Sequence, residues 1–338
     1  MYKNLNPSSL GVIGRQSELI ELTLTYRFKG LDLEAGEIIK RALVSGVEEA
    51  ARYIHSGRVK VGGWVQPVDL SANAQTFAKQ IERLPAMAAA AKEIGFTYCT
   101  FEIHPASEDL PYHENFEQHR ERLGAVAQAL APHGIRAGLA LRVAAEHRAD
   151  TTYQFIQQAE ELLTLIRTIG NENIGLALDT WNWQVGGGGS DQLAELTGRQ
   201  IISVTIADVP LDADFRSITD KQRLLPTEDS IPRHGKLLRS LVAQQYAGPV
   251  TLRPHPQHLS KLPRDASVET CARIMERLWI EAGLSKPVKP PEVAAPAAAA
   301  EETAADETAA KETAAKETAA DETAGDVVEQ ITEPTSSD

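Results

Sequence analysis

The stretch GLALDTWNWQVGGGG, from Gly175 to Gly189, runs an apolar segment into an acid, two tryptophans and a glycine tract. An acid at such a place, Asp179, can ligate a metal, carry a proton or pair with a cation, and the choice depends on what stands at the equivalent points along the chain. Other apolar runs also end in reactive or polar side chains: Asp32 and Glu34, Trp64 and Gln66, Glu102 and His104, Arg142, Thr205 and Asp208, and Arg253 with His255. Arg15 and Gln16 follow the run at Leu10. If the runs are neighbouring strands, these residues form one strongly polar mouth.

The elements that must position them can be read from periodicity. Eight short apolar runs alternate with longer amphipathic ones: LGVIG at Leu10, GLDLE at Gly30, VKVGGW at Val59, YCTFEIHP at Tyr98, IRAGLALR at Ile135, IGLALDTW at Ile174, IISVTIAD at Ile201 and PVTLRPHP at Pro249. The intervening segments have helical spacing. Phe155, Ala159, Leu162, Ile166 and Ile169 recur at three and four residues before Gly170, and Val268, Cys271, Met275 and Leu278 share a face of the last helix. Eight β/α units in one uninterrupted run predict an α/β fold, a single (β/α)8 TIM barrel, in which reactive groups collect at the C-terminal ends of the strands. An open doubly wound sheet would want GxGxxG after an early strand, but the glycines of LGVIGRQ stand only at Gly11 and Gly14.

Strand alternation sharpens the expectation. With Arg142, Asp179, Thr205 and Arg253 pointing inward, Gly138, Ala140, Gly175, Ala177, Ile201, Ser203, Pro249 and Thr251 also face the barrel interior. Leu139, Leu141, Leu176, Leu178, Ile202, Val204, Ile206, Val250 and Leu252 then face outward, toward helices. Small residues inside and bulky ones outside suit a barrel wrapped in helices.

The barrel is predicted over residues 1–285. From Lys286 to Asp338 the chain carries 13 acids and 4 lysines, a net of −9 of the −13 total, within an ETAAD/ETAAK repeat that holds few large apolar residues before Val327. Such a segment cannot bury enough surface to offset chain ordering, so residues 286–338 are expected to be a disordered acidic C-terminal tail, either solubilising or engaging a partner. Two cysteines, Cys99 and Cys271, fit reduced thiols better than a disulfide framework. The segment MYKNLNPSSLG has no apolar signal core and no run approaches the roughly 18 apolar residues of a membrane span, so a cytoplasmic setting without membrane contact is expected. A mildly acidic body without a basic stripe argues against nucleic acid.

A strand ending LALD before a Trp-rich turn, one ending IAD, the segment QRLLPTEDSIP and GPVTL before the last helix resemble the xylose isomerase-like sugar phosphate isomerase/epimerase barrels over about residues 10–284. The resemblance implies a divalent cation held by Glu, Asp, His and Glu at the ends of strands five to eight, with the two glutamates shuttling a proton beside a sugar carbonyl. Carried over by position, the aspartate falls on Asp179, but the other three fall on Arg142, Thr205 and Arg253. Arginine stays protonated and has no lone pair to give, and two guanidiniums at about 4 Å repel a cation by roughly several kcal/mol at intermediate dielectric. The expectation is therefore a degenerate metal site with no metal cofactor, in which Arg142 and Arg253 either pair with Asp179, Glu102 or Glu34, or clamp a sugar phosphate or sugar acid. Arg223 matches a family arginine near the substrate.

Two other readings stand beside this one. An active isomerase or epimerase could use a rearranged metal site from Glu102, His104, Asp179 and His255. Alternatively the barrel is a non-catalytic scaffold whose acidic tail binds a partner. Trp181, Trp183 and Trp64 could stack on a sugar or pack over the rim, and Gly186–Gly189 permit a mobile loop. PYHENFEQHR is not HExxH, since Glu117 breaks the pattern, and is read as a solvated helix start.

Overall fold

In the computed structural model residues 1–286 are described, and the expected tail, apart from Lys286, lies outside them. Among the described residues are eleven strands: β1 (Tyr2–Leu5), β2 (Gly30–Leu31), β3 (Lys60–Val61), β4 (Trp64–Val65), β5 (Tyr98–Ile103), β6 (Ala106–Ser107), β7 (Arg136–Leu141), β8 (Tyr153–Gln154), β9 (Ile174–Asp179), β10 (Ile201–Ile206) and β11 (Pro249–Leu252). Nine of them form one parallel sheet in the order β3-β2-β1-β11-β10-β9-β7-β5-β4, while β6 and β8 pair separately and antiparallel.

The two ends of that order are halves of one strand. β3 pairs with β2 through Leu31 and Val61, β4 pairs with β5 through Trp64 and Cys99, and only Gly62 and Gly63 separate the halves. The sheet therefore closes on itself with eight strand positions, the (β/α)8 barrel predicted from the alternation.

Outside the ring, Leu139, Leu176, Val204 and Val250 are fully buried in one apolar core with helix residues such as Leu162, Leu165, Leu238, Met275 and Leu278. Each such side chain contributes about 1.5–3 kcal/mol on leaving water. The last helix, Arg264–Glu281, buries Val268, Cys271, Met275 and Leu278 as its spacing predicts. Gly170, at φ 62°, ends the helix before β9. That helix begins at Ala159, later than its periodicity suggests: residues 153–154 form β8, and Glu161 Oε2 accepts from the backbone N–H groups of Gln157 and Gln158 at 2.8 and 2.9 Å.

Two expectations are corrected. LGVIG is not the first strand; Ser8–Leu10 is a single 3-10 turn, and the strand is Tyr2–Leu5, whose short YKNL run alternates too briefly to stand out. Ile201 and Ile202 also exchange faces. The β9–β10 register shifts between Ile201, opposite Leu176, and Ser203, opposite Ala177, which turns Ile202 inward against Gly138 and Gly175 and leaves Ile201 in the outer core. From Ser203 onward the predicted alternation holds.

No helix among the described residues is long and apolar enough to cross a membrane.

Candidate functional site

At the C-terminal ends of the strands a cavity of about 290 Å³ is lined by Asp32, Glu102, Asp179, Ser203, Thr205 and Arg253, among others. A second concavity of about 400 Å³ shares Glu102 and Arg253 with it and adds Arg142, Arg223, Asp220 and His255. Ala140, Ala177 and Thr251 line the first cavity as the inward positions of β7, β9 and β11. Their small side chains leave the space that the long polar residues at the strand ends occupy.

The polar residues form one connected chain. Arg142, just beyond β7, places Nη1 3.3 Å from Glu102 Oε2, and Arg253, just beyond β11, donates from Nη2 to Glu102 Oε1 at 3.0 Å. Arg253 Nη1 also lies 4.0 Å from Asp179 Oδ2. Asp179, the last residue of β9, is engaged at both oxygens: Oδ1 accepts from the Asn182 N–H at 2.9 Å as the N-cap of the Thr180–Val185 helix, and Oδ2 accepts from Thr205 Oγ1 at 2.9 Å and from Arg223. Arg223 stacks its guanidinium 5.0 Å from the Trp181 ring centre and donates from Nε to the Arg253 carbonyl at 3.4 Å.

The charges set the protonation states. Burial disfavours ionisation of both Glu102 and Asp179, but the Arg253 and Arg142 guanidiniums outweigh it at Glu102, and Arg223, Arg253 and the donated hydrogen bonds outweigh it at Asp179. Both carboxyls are held below the usual range. Burial, then the Arg142 charge, lowers the His104 imidazole pKa, so His104 stays neutral beside Arg142, whose Nη1 is 3.5 Å from its Nε2. Asp32 behaves oppositely: burial dominates and raises its carboxyl above the ordinary range, against hydrogen bonds from Asn4 and Asn6 and the Arg253 charge.

Of the residues singled out by sequence, Arg142, Arg223, Arg253, Glu102 and Asp179 come together. His104 joins at the edge, exposed. His255 lines the outer concavity and accepts from the Gln257 N–H through Nδ1 at 3.3 Å. The tryptophans are elsewhere: Trp181, Trp64 and Trp183 are 0, 2 and 6 % exposed, so they pack under the rim and present no face for stacking. Gly188 lies against the Trp183 ring, where a Cβ would stand 2.3 Å from Cε2, so the glycine tract serves close packing at that point. Asp208 is drawn away to Arg233 and His234.

Sequence reading missed Asn4, Asn6 and Asp220. The asparagines lie two apart at the end of β1, a period-2 signal hidden by assigning the first strand to Leu10. Asp220 opens the 3-10 turn Asp220–Gln222, with Oδ1 3.5 Å from Arg223 Nη1 and Oδ2 2.9 Å from His147 Nε2.

The four strand-end positions offer one carboxylate, one hydroxyl and two guanidiniums. Among the described residues, the group of three acid or histidine side chains close enough to share an ion is Glu146, His147 and Asp220, within 4.8 Å of one another. The set Glu102, His104, Asp179 and His255 is not brought together in that way, because Arg142 and Arg253 stand among its members.

The model of the xylose isomerase-like TIM barrel family matches residues 39–278. Among solved structures, a xylose isomerase domain protein from Alicyclobacillus acidocaldarius is 23% identical, with 84% of this chain and 99% of that one covered at a TM-score of 0.74. The IOLI protein, solved with a binding zinc atom, is 15% identical over 83% of this chain and 99% of its own, TM-score 0.67. D-psicose 3-epimerase from Clostridium cellulolyticum, solved with D-tagatose, is 10% identical over 83% and 99%, TM-score 0.61. No curated protein matches the chain.

Proposed function

The chain belongs to the xylose isomerase-like TIM barrel family, and from that premise we propose that it binds a sugar phosphate or sugar acid at the barrel mouth without a divalent metal. The observation that carries this reading is the position of Arg142 and Arg253, both ion-paired to Glu102 at strand ends where the family resemblance places metal ligands. The residues there do not fit a cation. Guanidiniums cannot ligate, and the remaining carboxylate, Asp179, already has both oxygens engaged by Asn182, Thr205 and Arg223.

They fit an oxyanion better. Each guanidinium has five N–H groups, and the contacts to Glu102 leave several free on Arg142 and Arg253, whose side chains are 26 and 42% exposed to the cavities. A ligand phosphate or carboxylate can take those donors in bidentate fashion while its hydroxyls meet Thr100, Ser203 and Thr251 deeper in the barrel. Two buried, unpaired cysteines fit a reducing compartment and support a cytoplasmic setting.

A thermal-shift panel of sugar phosphates and sugar acids tests the reading. At least one member should stabilise the protein, and the shift should vanish in Arg142→Ala and in Arg253→Ala. A panel without any response removes the proposal.

A further inference from the structure

Another concavity, of about 270 Å³, opens beside the mouth, with Ser71, His104, Ser107, Asn115, Gln118 and His119 among its lining residues. His104 is the shared wall: Arg142 reaches its Nε2 from the mouth, while the ring also borders this side pocket. The sequence PYHENFEQHR begins the helix Tyr112–Leu130, and Asn115 and His119, four residues apart, lie on its buried face, each only 5% exposed.

The walls are fixed in place. Arg122, three residues further along the helix, donates from Nη1 to the Leu70 and Ala72 carbonyls at 2.5 and 2.7 Å and so holds the segment that carries Ser71. Ser107 Oγ accepts from the Asp109 and Leu110 N–H groups at 3.3 and 3.1 Å, which leaves its own proton to donate. The His119 ring packs against Phe155, with 4.9 Å between centroids.

The two most deeply buried polar side chains of the pocket are incompletely paired. His119 Nδ1 lies 2.9 Å from the Asn115 carbonyl oxygen, which can only accept, so the ring hydrogen sits on Nδ1 and Nε2 carries a bare lone pair. Burial lowers the imidazole pKa to about 4, which keeps the ring neutral. Neither His119 Nε2 nor the Asn115 carboxamide bonds to another group among the described residues, yet neither is sealed within protein, and the side pocket is the open space they line. Groups of this kind are costly to bury unless a ligand or solvent pairs with them.

We propose that the side pocket is a subsite for a neutral hydroxylated unit, a second sugar ring carried by the anionic sugar derivative whose charged end Arg142 and Arg253 hold. The extension past His104 rests on the ligand reading above; the subsite itself stands apart from it. A sugar hydroxyl donates and accepts at once, and the pocket offers both roles: acceptors at His119 Nε2 and the carboxamide oxygens, donors at Ser107 and the carboxamide nitrogens. An anion is disfavoured, because the lining holds Glu108 and Asp109 and no lysine or arginine. The volume of about 270 Å³ suits one unit rather than a whole ligand, since small-molecule sites run from roughly 300 to 1,000 Å³.

Two titrations decide it. Methyl pyranosides of glucose, galactose and mannose, in both anomers, are added at high concentration to protein with nitrogen-labelled histidine. At least one should move the His119 Nε2 resonance saturably, in wild type and in Arg142→Ala alike, and not in Asn115→Leu. That variant should melt no lower than wild type, because it removes an unpartnered carboxamide. No movement with any pyranoside, or an undiminished one in Asn115→Leu, overturns the proposal. The second titration compares anions that differ by one neutral ring: gluconate with lactobionate and maltobionate, glucose phosphate with trehalose phosphate. In at least one pair the two-ring member should bind at least about tenfold tighter, and Asn115→Leu should remove most of that gain. If one-ring anions bind and no second ring improves them, the proposal is overturned while the ligand reading stands. If only the pyranosides bind, the ligand reading fails and the subsite remains.

Discussion

Arg223 and Asp179 form an ion pair with side chains only 7 and 4% exposed, and Arg223 is further fixed by the Trp181 ring and the Arg253 carbonyl. One guanidinium thus ties the end of β9 to the loop after β11. Removing one partner of a buried pair typically costs about 3–5 kcal/mol, because the other charge is left in low dielectric. Arg223→Leu should fall near the lower end, since Asp179 keeps Thr205, the Asn182 N–H and the more distant Arg253. Adding Asp179→Asn should recover part of the loss. Urea unfolding of the single and double variants measures both, and a loss below about 1 kcal/mol would show that the pair does not hold the mouth together.

Stability should also fall in acid through Glu102 and Asp179. Their folded-state carboxyls sit below the usual range, so the unfolded chain binds protons more readily. The contribution is complete above their unfolded values of about 4 and disappears as pH drops through the folded ones. Glu102→Gln should therefore cost most at neutral pH and progressively less as the pH is taken below the ordinary carboxylate range. Both of its arginine partners are partly solvated, so the neutral-pH cost should be modest, on the order of 1 kcal/mol. A cost independent of pH would assign the effect to packing.

The residues that draw this map were largely legible in the sequence, because side chains at the ends of β7, β9, β10 and β11 follow from strand alternation once Asp179 is fixed inward. The same alternation failed at Ile201 and Ile202, where one bulged residue reverses the faces without leaving a signal in residue type. The first strand was missed because YKNL is short while LGVIG is longer and more apolar, and with it went Asn4 and Asn6, the partners of Asp32. Partnering was harder to read than position: Arg223 comes from a loop, and only the folded chain shows that it, rather than Arg142, neutralises Asp179. The tryptophans beside Asp179 could equally face ligand or core, and burial alone decided for the core.

Gly62 should tolerate no side chain. It separates β3 from β4 at the closure of the barrel, and its missing Cβ makes room for Asp32 Oδ1. Gly62→Ala should destabilise by roughly 1–3 kcal/mol through forced displacement of a polar, hydrogen-bonded neighbour. Combining it with Asp32→Gly removes the side-chain clash, leaving only the Asp32 Cα at 3.0 Å, and should restore part of the loss, which denaturant unfolding can resolve. Equal cost in both backgrounds would instead place the strain in the strand backbone.

The proposed guanidinium-for-metal exchange predicts a change that can be run backwards. Wild-type protein should melt at the same temperature with a manganese or zinc salt or with a chelator, because Arg142 and Arg253 repel a cation from the mouth. The triple variant Arg142→Glu, Thr205→His, Arg253→Glu puts carboxylate and imidazole at the positions around Asp179. Without metal it should be less stable than wild type, since Glu102 loses both cations and gains like-charged neighbours. Added metal should then raise its melting temperature, by an amount set by ligand linkage: about 2.7 kcal/mol at a concentration one hundred times the dissociation constant. A metal response in wild type that persists when His147 is replaced, and so does not come from the Glu146, His147 and Asp220 group, would refute the exchange. Its absence from both proteins would mean that the strand ends do not converge closely enough to hold an ion, whatever residues they carry.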